Sequence, residues 1–425
     1  MKNEMKYKSL RGMPDILPDE ARRRRNLEEK AREVFRVFGF NEISTPVLED
    51  AEVFTRSIGE DTDIVEKEMY TFSDRGGKMI SLRPEGTASI IRAYIEHPSL
   101  NTQEICKLFY MGPMFRGERP QKGRLRQFHQ IGAEIIAHSN PYIDAELVFN
   151  LKVLLHKLNC KDFTIVLNSL GCVSDRTKYK EVLKKYLFQK KTGLCDSCKR
   201  RAEINVLRVL DCKREKCASV VLNAPKITDY HCRKCGDDYG LFKKTLNEMA
   251  VPFHEKADLV RGLDYYTGIV FEVIHPSLGA QDAIAAGGRY NNLIKEMGGP
   301  DIGATGYALG IERLLLLSGE DDKIADISRT IILPMDAKCR HEALHIASKF
   351  WLKGIPCEVD HTERSFKGRM RRAHKEARKF VIIIGENEIK NNCLMLKDME
   401  SKEQSSMSFE EAVEIVRARY AVPLR

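Results

Sequence analysis

The sequence predicts an α+β domain built on an antiparallel sheet flanked by helices, with a helical insertion and a C-terminal α/β domain. Residues 107–134 carry two alternating runs around the polar segment GERPQKG, which is typical of a β-hairpin. Residues from about 145 to 250 show helical stripes, charge runs and clustered cysteines instead. From residue 329 onward, strand and helix patterns alternate as in a βαβ unit. The expected boundaries are 1–320 for the first domain, about 170–250 for the insertion within it, 321–328 for a polar linker and 329–425 for the C-terminal domain.

The composition is that of a globular protein and argues against a membrane role. A length of 425 residues predicts two to three domains of roughly 150 residues each. Apolar residues make up 43 % of the chain, and the mean hydropathy is −0.37. No apolar run approaches the ~20 residues needed to cross a bilayer, and the N-terminal MKNEMKYKSLRG has no hydrophobic segment of a secretory signal. We therefore expect a cytoplasmic protein.

The charge balance permits a polyanionic partner but does not establish one. The 70 Lys and Arg residues exceed the 61 Asp and Glu residues, which gives a net charge of +9. Much of the excess lies in Arg22–Arg25 and in Lys367–Lys379. Each cluster fits either a solvated helix face or a nucleic-acid contact.

The cysteines gather in the predicted insertion. Twelve cysteines in a chain without an export signal argue against a disulfide framework. The segments LCDSCK and HCRKCG each place two thiols on one tight turn, which suits a tetrahedral zinc ion. Six ligands are too many for one such site, so zinc binding and a cluster of simply reduced thiols both stay open, and neither suggests catalysis. The six cysteines are Cys195, Cys198, Cys212, Cys217, Cys232 and Cys235.

Local patterns predict the elements that precede the hairpin. One apolar stripe indicates a helix over 19–38, ended by Gly39. The following GFNEISTPVLED predicts a strand that Pro46 interrupts, because proline cannot donate to a central ladder. Residues 78–95 predict a strand, a loop and a helix that Thr87 caps.

The second hairpin strand predicts a ligand-binding surface. Alternation puts two arginines, an amide and a carboxylate on one face of this strand. Such a polar face is unsuited to a hydrophobic core, but it could bind a ligand with phosphate and ammonium groups. Strand patterns return after the insertion with GIVFEVIH and AIAAGGRYNNLI. The residues of the hairpin face are Arg124, Arg126, Phe128, Gln130, Gly132 and Glu134.

The C-terminal domain predicts alternating strands and helices without a GxGxxG segment after its first strand, which argues against dinucleotide binding. The basic helix SFKGRMRRAHKEARK fits either an RNA contact or a solvated face. The predicted strands are RTIILP, PCEVD, KFVIIIG and CLMLKD, and the predicted helices lie around Ala337–Lys353, around Phe366–Lys379 and from Ser408 onward.

Three segments in order resemble one enzyme family. FRGERPQKGRLRQFHQIGAE, LVRGLDYYTG and GATGYALGIERL are similar to motifs of class II aminoacyl-tRNA synthetases, in the form found in histidyl-tRNA synthetases. The likeness extends from Leu10 to the C-terminus. It implies that the antiparallel-sheet domain is catalytic, that the C-terminal domain binds the anticodon, and that GFNEISTPVLED belongs to a homodimer interface.

The resemblance implies a reaction that needs fixed positive charge. A carboxylate attacks the α-phosphorus of ATP, and tRNA then attacks the resulting aminoacyl-adenylate. The resemblance assigns Arg116 and Arg261 to the α-phosphate and Arg313 to the γ-phosphate. Arg116 and Arg261 are therefore the expected catalytic residues, because the reaction takes place at the α-phosphorus. The resemblance assigns the nucleotide to Arg124 as well, and it implies Mg²⁺ on the phosphates, for which Glu118 is an unspecific ligand candidate.

The resemblance also implies a histidine pocket. Glu134 and Tyr266 are our choices for the two imidazole nitrogens, because both nitrogens need partners. Glu85, Thr87 and Gln130 are assigned to the α-ammonium group. The remaining residues assigned to histidine are Gly86, Arg116, Arg261 and Tyr265, with Gly287, Gly288, Arg289 and Tyr290 as weaker candidates.

The implied partners are tRNA, L-histidine, ATP and a second copy of the chain. The loop Gly117–Gly123 is expected to contact the acceptor end of the tRNA and the adenine. The first alternative is a catalytically inactive paralogue that regulates ATP phosphoribosyltransferase in histidine biosynthesis, but such chains usually lack the C-terminal domain and part of the ATP motifs. The second alternative is an RNA-binding or sensing protein, which leaves the three arginine-bearing motifs without a purpose.

Overall fold

The computed structural model describes residues 7–59, 62, 64–281, 283–317 and 330–420. The chain forms two compact units, Met1–Asp322 and Lys323–Arg425. The predicted linker 321–328 lies outside the described residues.

The first unit contains two sheets and the helices around them. Its strands are β1 Asn41–Glu42, β2 Leu48–Asp50, β3 Tyr70–Ser73, β4 Met79–Leu82, β5 Cys106–Phe115, β6 Gln127–Ile136, β7 Thr164–Ser169, β8 His254–Glu255, β9 Ile269–Ile274, β10 Ala283–Arg289 and β11 Ala304–Gly310. Its helices are α1 Pro18–Val37, α2 Ala51–Ile58, α3 Thr87–Glu96, α4 Pro141–Lys157, α5 Val173–Gln189, α6 Asp196–Ile204, α7 Glu215–Leu222, α8 Arg233–Glu248, α9 Leu293–Glu296 and α10 Ile311–Leu317.

The large sheet has the order β1-β5-β6-β11-β10-β9-β7-β8. Its pairings are antiparallel, except that the short edge strands β1 and β8 run parallel to their neighbours. A second, smaller antiparallel sheet has the order β2-β4-β3. The predicted antiparallel sheet with flanking helices is therefore confirmed.

The hairpin strands β5 and β6 divide their side chains between two apolar layers. Phe109 and Ile131 pack in a cluster with residues of α1 and α4, and the rings of Phe109 and Phe35 stack at 4.4 Å. The neighbouring Leu108 and Tyr110 pack in the opposite cluster with residues of α3 and α5. This alternation is what the period of a strand requires, and it fixes the register of the hairpin.

Three predictions about the first unit need correction. Helix α1 begins and ends one residue earlier than predicted, and Gly39 has a φ of 75°, which stops the helix. The strand predicted before Pro46 is reduced to two residues, because the chain leaves the sheet there. Strand β7 was not predicted, since its apolar run lies in a region that otherwise shows helical periodicity.

The second unit is the predicted α/β domain. Its strands are β12 Thr330–Pro334, β13 Glu358–Val359, β14 Phe380–Ile384, β15 Leu394–Asp398 and β16 Gln404–Met407, and its helices are α11 Arg340–Leu352, α12 Phe366–Lys375, α13 Glu386–Lys390 and α14 Phe409–Tyr420. The sheet order is β13-β12-β14-β15-β16, with β13 and β14 parallel to β12 and with β15 and β16 antiparallel to their neighbours.

The sequence misplaced three elements of this unit. Helix α12 ends at Lys375 rather than Lys379, because Ala377 adopts a φ of 50°. The polar strand β16 and the short helix α13 were not predicted. Among the helices that the structure describes, none is long and apolar enough to cross a membrane.

Gly132 provides a test of the packing beneath the large sheet. A Cβ atom on this residue would lie 2.2 Å from Cζ of Tyr110. We expect Gly132→Ala to lower the free energy of unfolding by about 1–3 kcal/mol, as other overpacked cores do. Gly240→Ala in α8 is the control, since its added Cβ meets no heavy atom within 4 Å and alanine favours a helix. Equal urea midpoints for both variants would contradict this account.

Candidate active site

A cleft opens where the predicted site residues meet. It encloses about 940 Å³ of empty space, open solvent included. Strands β6, β10 and β11, the hairpin loop, the start of α3 and the segment 261–266 contribute to its walls. The predicted residues that line it are Glu85, Thr87, Arg116, Arg124, Gln130, Arg261, Tyr265, Tyr266 and Arg313.

Two of the cleft arginines pair with carboxylates. The Arg261 guanidinium forms an ion pair with Glu272 on β9. The Arg124 guanidinium pairs with Glu118, whose carboxylate also lies 3.9 Å from Arg116. Burial lowers the pKa of Arg261, but the Glu272 carboxylate and the neighbouring tyrosines outweigh that effect, and the pKa is raised overall.

The other two cleft arginines are held by carbonyl groups. Arg116 donates from Nε to the Pro84 carbonyl at 2.9 Å, and its guanidinium lies 5.3 Å from the Phe128 ring centroid. Arg313 donates to the carbonyls of Gly123 and Ala283. Burial, together with the positive charges of Arg124 and Arg116, lowers the pKa of Arg313. The cleft is therefore a site of concentrated, pre-oriented positive charge.

The start of α3 corrects the prediction that Thr87 caps this helix. Thr87 is its first helical residue, and the Glu85 carboxylate accepts from the backbone N–H groups of Thr87 at 2.7 Å and Ala88 at 2.8 Å. The Thr87 hydroxyl donates to Glu134 at 2.7 Å instead. Burial raises the pKa of Glu85, while these hydrogen bonds oppose the shift.

Glu134 and Gly86 lie behind the cleft wall and are not among the residues that line it. Glu134 is fully buried, and its two oxygens accept from the hydroxyls of Thr87 and Tyr290. Burial raises the pKa of Glu134 to about 8. Gly86 makes room for Tyr110, since a Cβ there would lie 2.2 Å from the ring.

Two buried polar atoms in the cleft lack partners. Within the described residues, Oε1 of Gln130 and Nε of Arg261 form no hydrogen bond. A buried acceptor or donor without a partner costs about 1–3 kcal/mol. A ligand that brings a donor to Gln130 and an acceptor to Arg261 would remove this cost.

The weaker candidates in AAGGRYNN serve the fold in this structure. Arg289 forms a buried ion pair with Asp144 of α4, with Nε 2.9 Å from each carboxylate oxygen. A Cβ on Gly287 would lie 2.3 Å from the Gly306 carbonyl, and one on Gly288 would lie 2.5 Å from the Ile269 carbonyl. Tyr290 contacts Glu134 rather than the cleft.

Sequence reasoning missed two carboxylates: Glu272, which pairs with Arg261, and Glu312, which lines the cleft. Glu272 lies on β9 in GIVFEVIH and is the one charged residue of an otherwise apolar strand. A single charge in such a strand could have indicated a buried ion pair. Glu312 lines the cleft and accepts from the backbone N–H and Nδ1 of His129 at 3.0 and 2.8 Å. Arg126 precedes β6 and donates to the Glu118 carbonyl at 3.1 Å. Of the residues of the predicted hairpin face that belong to β6, only Phe128 and Gln130 line the cleft.

The fold and the arginine-lined cleft agree with those implied by the resemblance to class II aminoacyl-tRNA synthetases. A family model described as histidyl-tRNA synthetase matches residues 12–314, and one described as an anticodon binding domain matches residues 330–419. The chain belongs to the histidyl-tRNA synthetase family.

Individual relatives match along nearly the full chain. The chain is 45 % identical to the histidine–tRNA ligase of Thermodesulfovibrio yellowstonii, over 98 % of this chain and 99 % of that protein. It is 46 % identical to the histidine–tRNA ligase of Desulfosudis oleivorans, over 94 % and 95 %. The apo crystal structure of S. aureus histidyl-tRNA synthetase superposes with a TM-score of 0.80 at 33 % identity, over 97 % of this chain and 100 % of that one.

The raised pKa of Glu134 predicts a pH-dependent stability. The carboxyl group has a pKa of 4.5 in the unfolded chain and about 8 in the folded protein. Its contribution to the free energy of unfolding is therefore fully present below pH 4.5 and is lost as the pH rises through 8. Glutamine imitates the protonated acid and does not titrate. We expect the melting temperature of the wild type to fall relative to Glu134→Gln between about pH 5 and pH 9. Parallel melting curves across this range would contradict a buried, proton-binding Glu134.

Proposed function

We propose that this protein ligates L-histidine to its cognate tRNA in two ATP-dependent steps. A histidine carboxylate oxygen attacks the α-phosphorus, the bond to the β-phosphate oxygen breaks, and pyrophosphate leaves. A hydroxyl at the 3′ end of the tRNA then attacks the carbonyl carbon of histidyl-adenylate, and AMP leaves. The convergence of four arginines from distant segments in one cleft is the observation that carries this proposal.

The arginines supply what the first step lacks. A negative carboxylate has to approach a negative phosphate, so the barrier falls only where positive charge is already in position. Arg116 and Arg261 are assigned to the α-phosphate and the histidine carboxylate, and Arg313 and Arg124 are assigned to the remainder of ATP. Guanidinium groups suit these roles because they stay charged and bind two oxygens at once.

The histidine end of the cleft is assigned to its neutral and acidic residues. Oε1 of Gln130 has no partner within the described residues, which suits an α-ammonium donor, with Glu85 and Thr87 beside it. Tyr266 lines the cleft and is assigned to one imidazole nitrogen. A direct contact from Glu134 to the other nitrogen requires the Thr87 or Tyr290 hydroxyl to rotate away, and a largely protonated Glu134 can donate as well as accept.

Mg²⁺ is proposed to bind with ATP and to neutralise its β- and γ-phosphates. The carboxylates that line the cleft already have partners: Glu118 pairs with Arg124, Glu85 accepts from α3, and Glu312 accepts from His129. Phosphate oxygens and water are therefore the main ligands in this proposal, as is usual for Mg²⁺. Any zinc bound by the cysteine-rich region belongs to the insertion in this proposal and has no catalytic role.

The C-terminal unit is proposed to bind the tRNA anticodon, and the loop Gly117–Gly123 its acceptor end. A cytoplasmic homodimer, with GFNEISTPVLED at the interface, completes the proposal. A monomer mass in sedimentation equilibrium would overturn the dimer. The alternative, a regulatory subunit of ATP phosphoribosyltransferase, is disfavoured because the cleft keeps its arginines and the named ligases match nearly the whole chain.

Arg261→Ala tests the catalytic assignment. We expect histidine-dependent ATP–pyrophosphate exchange to fall by about 100-fold or more, since loss of one pre-oriented charge donor has an effect of that size. Arg56→Ala is the control, because Arg56 forms an exposed ion pair with Glu52 on α2 away from the cleft. Near-normal exchange by a folded Arg261→Ala protein would exclude the proposed role.

Glu134→Ala tests the selectivity assignment. We expect the KM for histidine to rise far more than the KM for ATP, because the carboxyl group lies behind the amino-acid end of the cleft. Circular dichroism and melting temperature verify that the variant is folded. An equal rise in both KM values would argue against an imidazole contact and favour a general role in packing.

A further inference from the structure

The cysteine-rich part of the insertion folds into two separate ligand groups rather than one cluster. In each group the four ligand atoms all lie within 4.8 Å of one another. The first group contains only sulfur ligands, and the second adds a carboxylate and a cysteine that the sequence analysis had not included. The groups are Cys195, Cys198, Cys212 and Cys217, and Cys172, Asp175, Cys232 and Cys235.

We propose that the insertion binds two structural zinc ions, one in each group. Tetrahedral zinc with Zn–S distances near 2.3 Å places its sulfur ligands roughly 3.8 Å apart. No two sulfur atoms of the first group are separated by more than about 1 Å beyond that spacing. Four ligands per group also resolve the difficulty that six cysteines posed for one tetrahedral site.

The first group has the local geometry of a thiolate site. Cys195 is the N-cap of α6, and Cys198 follows one turn later, where the helix dipole favours negative charge. The Cys195 N–H donates to Sγ of Cys217 at 3.2 Å, and both Cys198 and Cys217 are fully buried. Two of the basic residues that flank these ligands in sequence, Lys199 and Lys213, pair with Asp196 and Asp211. Arg200, Arg214 and Lys216 also flank the ligands, and positive charge nearby favours the two net negative charges of a zinc ion with four thiolates.

The helices around the first group are short. Helices α6 and α7 have only 9 and 8 residues, whereas isolated helices shorter than roughly 12 residues are marginal in water. Both helices pack buried residues into the surrounding apolar cluster, and a metal ion that joins them adds cross-links to that packing.

The second group joins two helix starts through a carboxylate. Cys172 and Cys232 are the N-caps of α5 and α8, and the other two ligands each follow three residues later. Asp175 accepts from the Cys232 N–H at 3.0 Å and from the Cys172 N–H at 3.3 Å. These bonds orient the carboxylate, and its remaining lone pairs stay available for a metal. Cys232 is exposed, which gives an ion a route into the site.

The two groups flank residues that support the active-site cleft. Arg176, next to Asp175, donates to the Tyr266 carbonyl at 2.8 Å. Asn205, between Cys198 and Cys212 in sequence, donates to the Asp264 carboxylate at 3.2 and 3.3 Å. Zinc therefore fixes the part of the insertion that holds the segment 261–266. This functional consequence rests on the proposed function, whereas the metal sites themselves do not.

Metal analysis of the full-length protein tests the sites. After expression with zinc and purification without chelators, we expect inductively coupled plasma mass spectrometry to find two zinc ions per chain. Cys212→Ser and Cys232→Ser should each remove one zinc ion, and the control Cys393→Ser, outside both groups, should remove none. A wild-type protein without zinc, or with iron instead, would overturn the proposal. If the wild type contains one zinc ion per chain, and this ion is lost in Cys212→Ser but kept in Cys232→Ser, the second site alone would be overturned.

Cobalt substitution tests the same ligands without mutation. The wild-type protein, unfolded with chelator and refolded with Co²⁺, should show sulfur-to-metal charge transfer and the intense d–d bands of tetrahedral coordination. Weak bands typical of octahedral oxygen ligands would contradict the thiolate sites. This measurement covers the case in which a serine variant does not fold.

Kinetics then test the link to the cleft. Zinc depletion should raise the KM for histidine at least several-fold, with a smaller change for ATP, and added zinc should reverse the effect. Unchanged KM values in metal-free protein would overturn the bracing role. If both zinc ions are present but no histidine-dependent ATP–pyrophosphate exchange occurs, the proposed function is wrong and the metal sites are supported. If the protein never contains zinc but catalyses full exchange, the metal sites are wrong and the proposed function is supported.

Discussion

The cleft depends on one electrostatic constraint, which is that four guanidinium groups have to stay close together although they repel one another. Burial makes this repulsion stronger than in water, and the lowered pKa of Arg313 reflects both effects. The structure compensates with two carboxylates, Glu118 and Glu272, and with fixed carbonyl groups. The arginines are therefore positioned before any ligand arrives, and an anionic ligand gains their charge without the cost of collecting them.

A second requirement is space for buried polar groups beneath the cleft floor. Glu134 lies against Gly306 so closely that a Cβ there would be 1.6 Å from its carboxylate oxygen, and Tyr110 occupies the space left by Gly86 and Gly132. The glycines of GAE, TGY and EGT in the sequence thus make room for a shared layer of one acid and several hydroxyls. Because this layer supports Thr87, which lines the cleft, packing below the floor sets the geometry above it.

The sequence predicted those features that local pattern determines. The hairpin followed from alternation, whereas the convergence of Arg116, Arg261 and Arg313 was implied by the resemblance of their motifs to those of class II aminoacyl-tRNA synthetases. One of its errors is local, and another depends on a contact between distant residues. Glu85 rather than Thr87 caps α3, since a carboxylate one residue before the N-cap reaches two N–H groups at once. The division of the cysteines was hidden because Asp175 and Cys232, 57 residues apart, meet only in the folded chain.

The segment that carries Arg261, Tyr265 and Tyr266 explains why these distant contacts matter. It contains no strand or helix between β8 and β9, so no ladder of its own fixes it. Neighbouring elements hold it instead: the Asp264 N–H donates to the Ile58 carbonyl at 3.1 Å, and the Thr267 N–H donates to the Arg289 carbonyl at 2.7 Å. Arg176 and Asn205 of the insertion add further hydrogen bonds to this segment. A site built on a loop is only as well positioned as the elements that hold it. For this reason the insertion, which contributes none of the described residues that line the cleft, can still influence the geometry of the cleft.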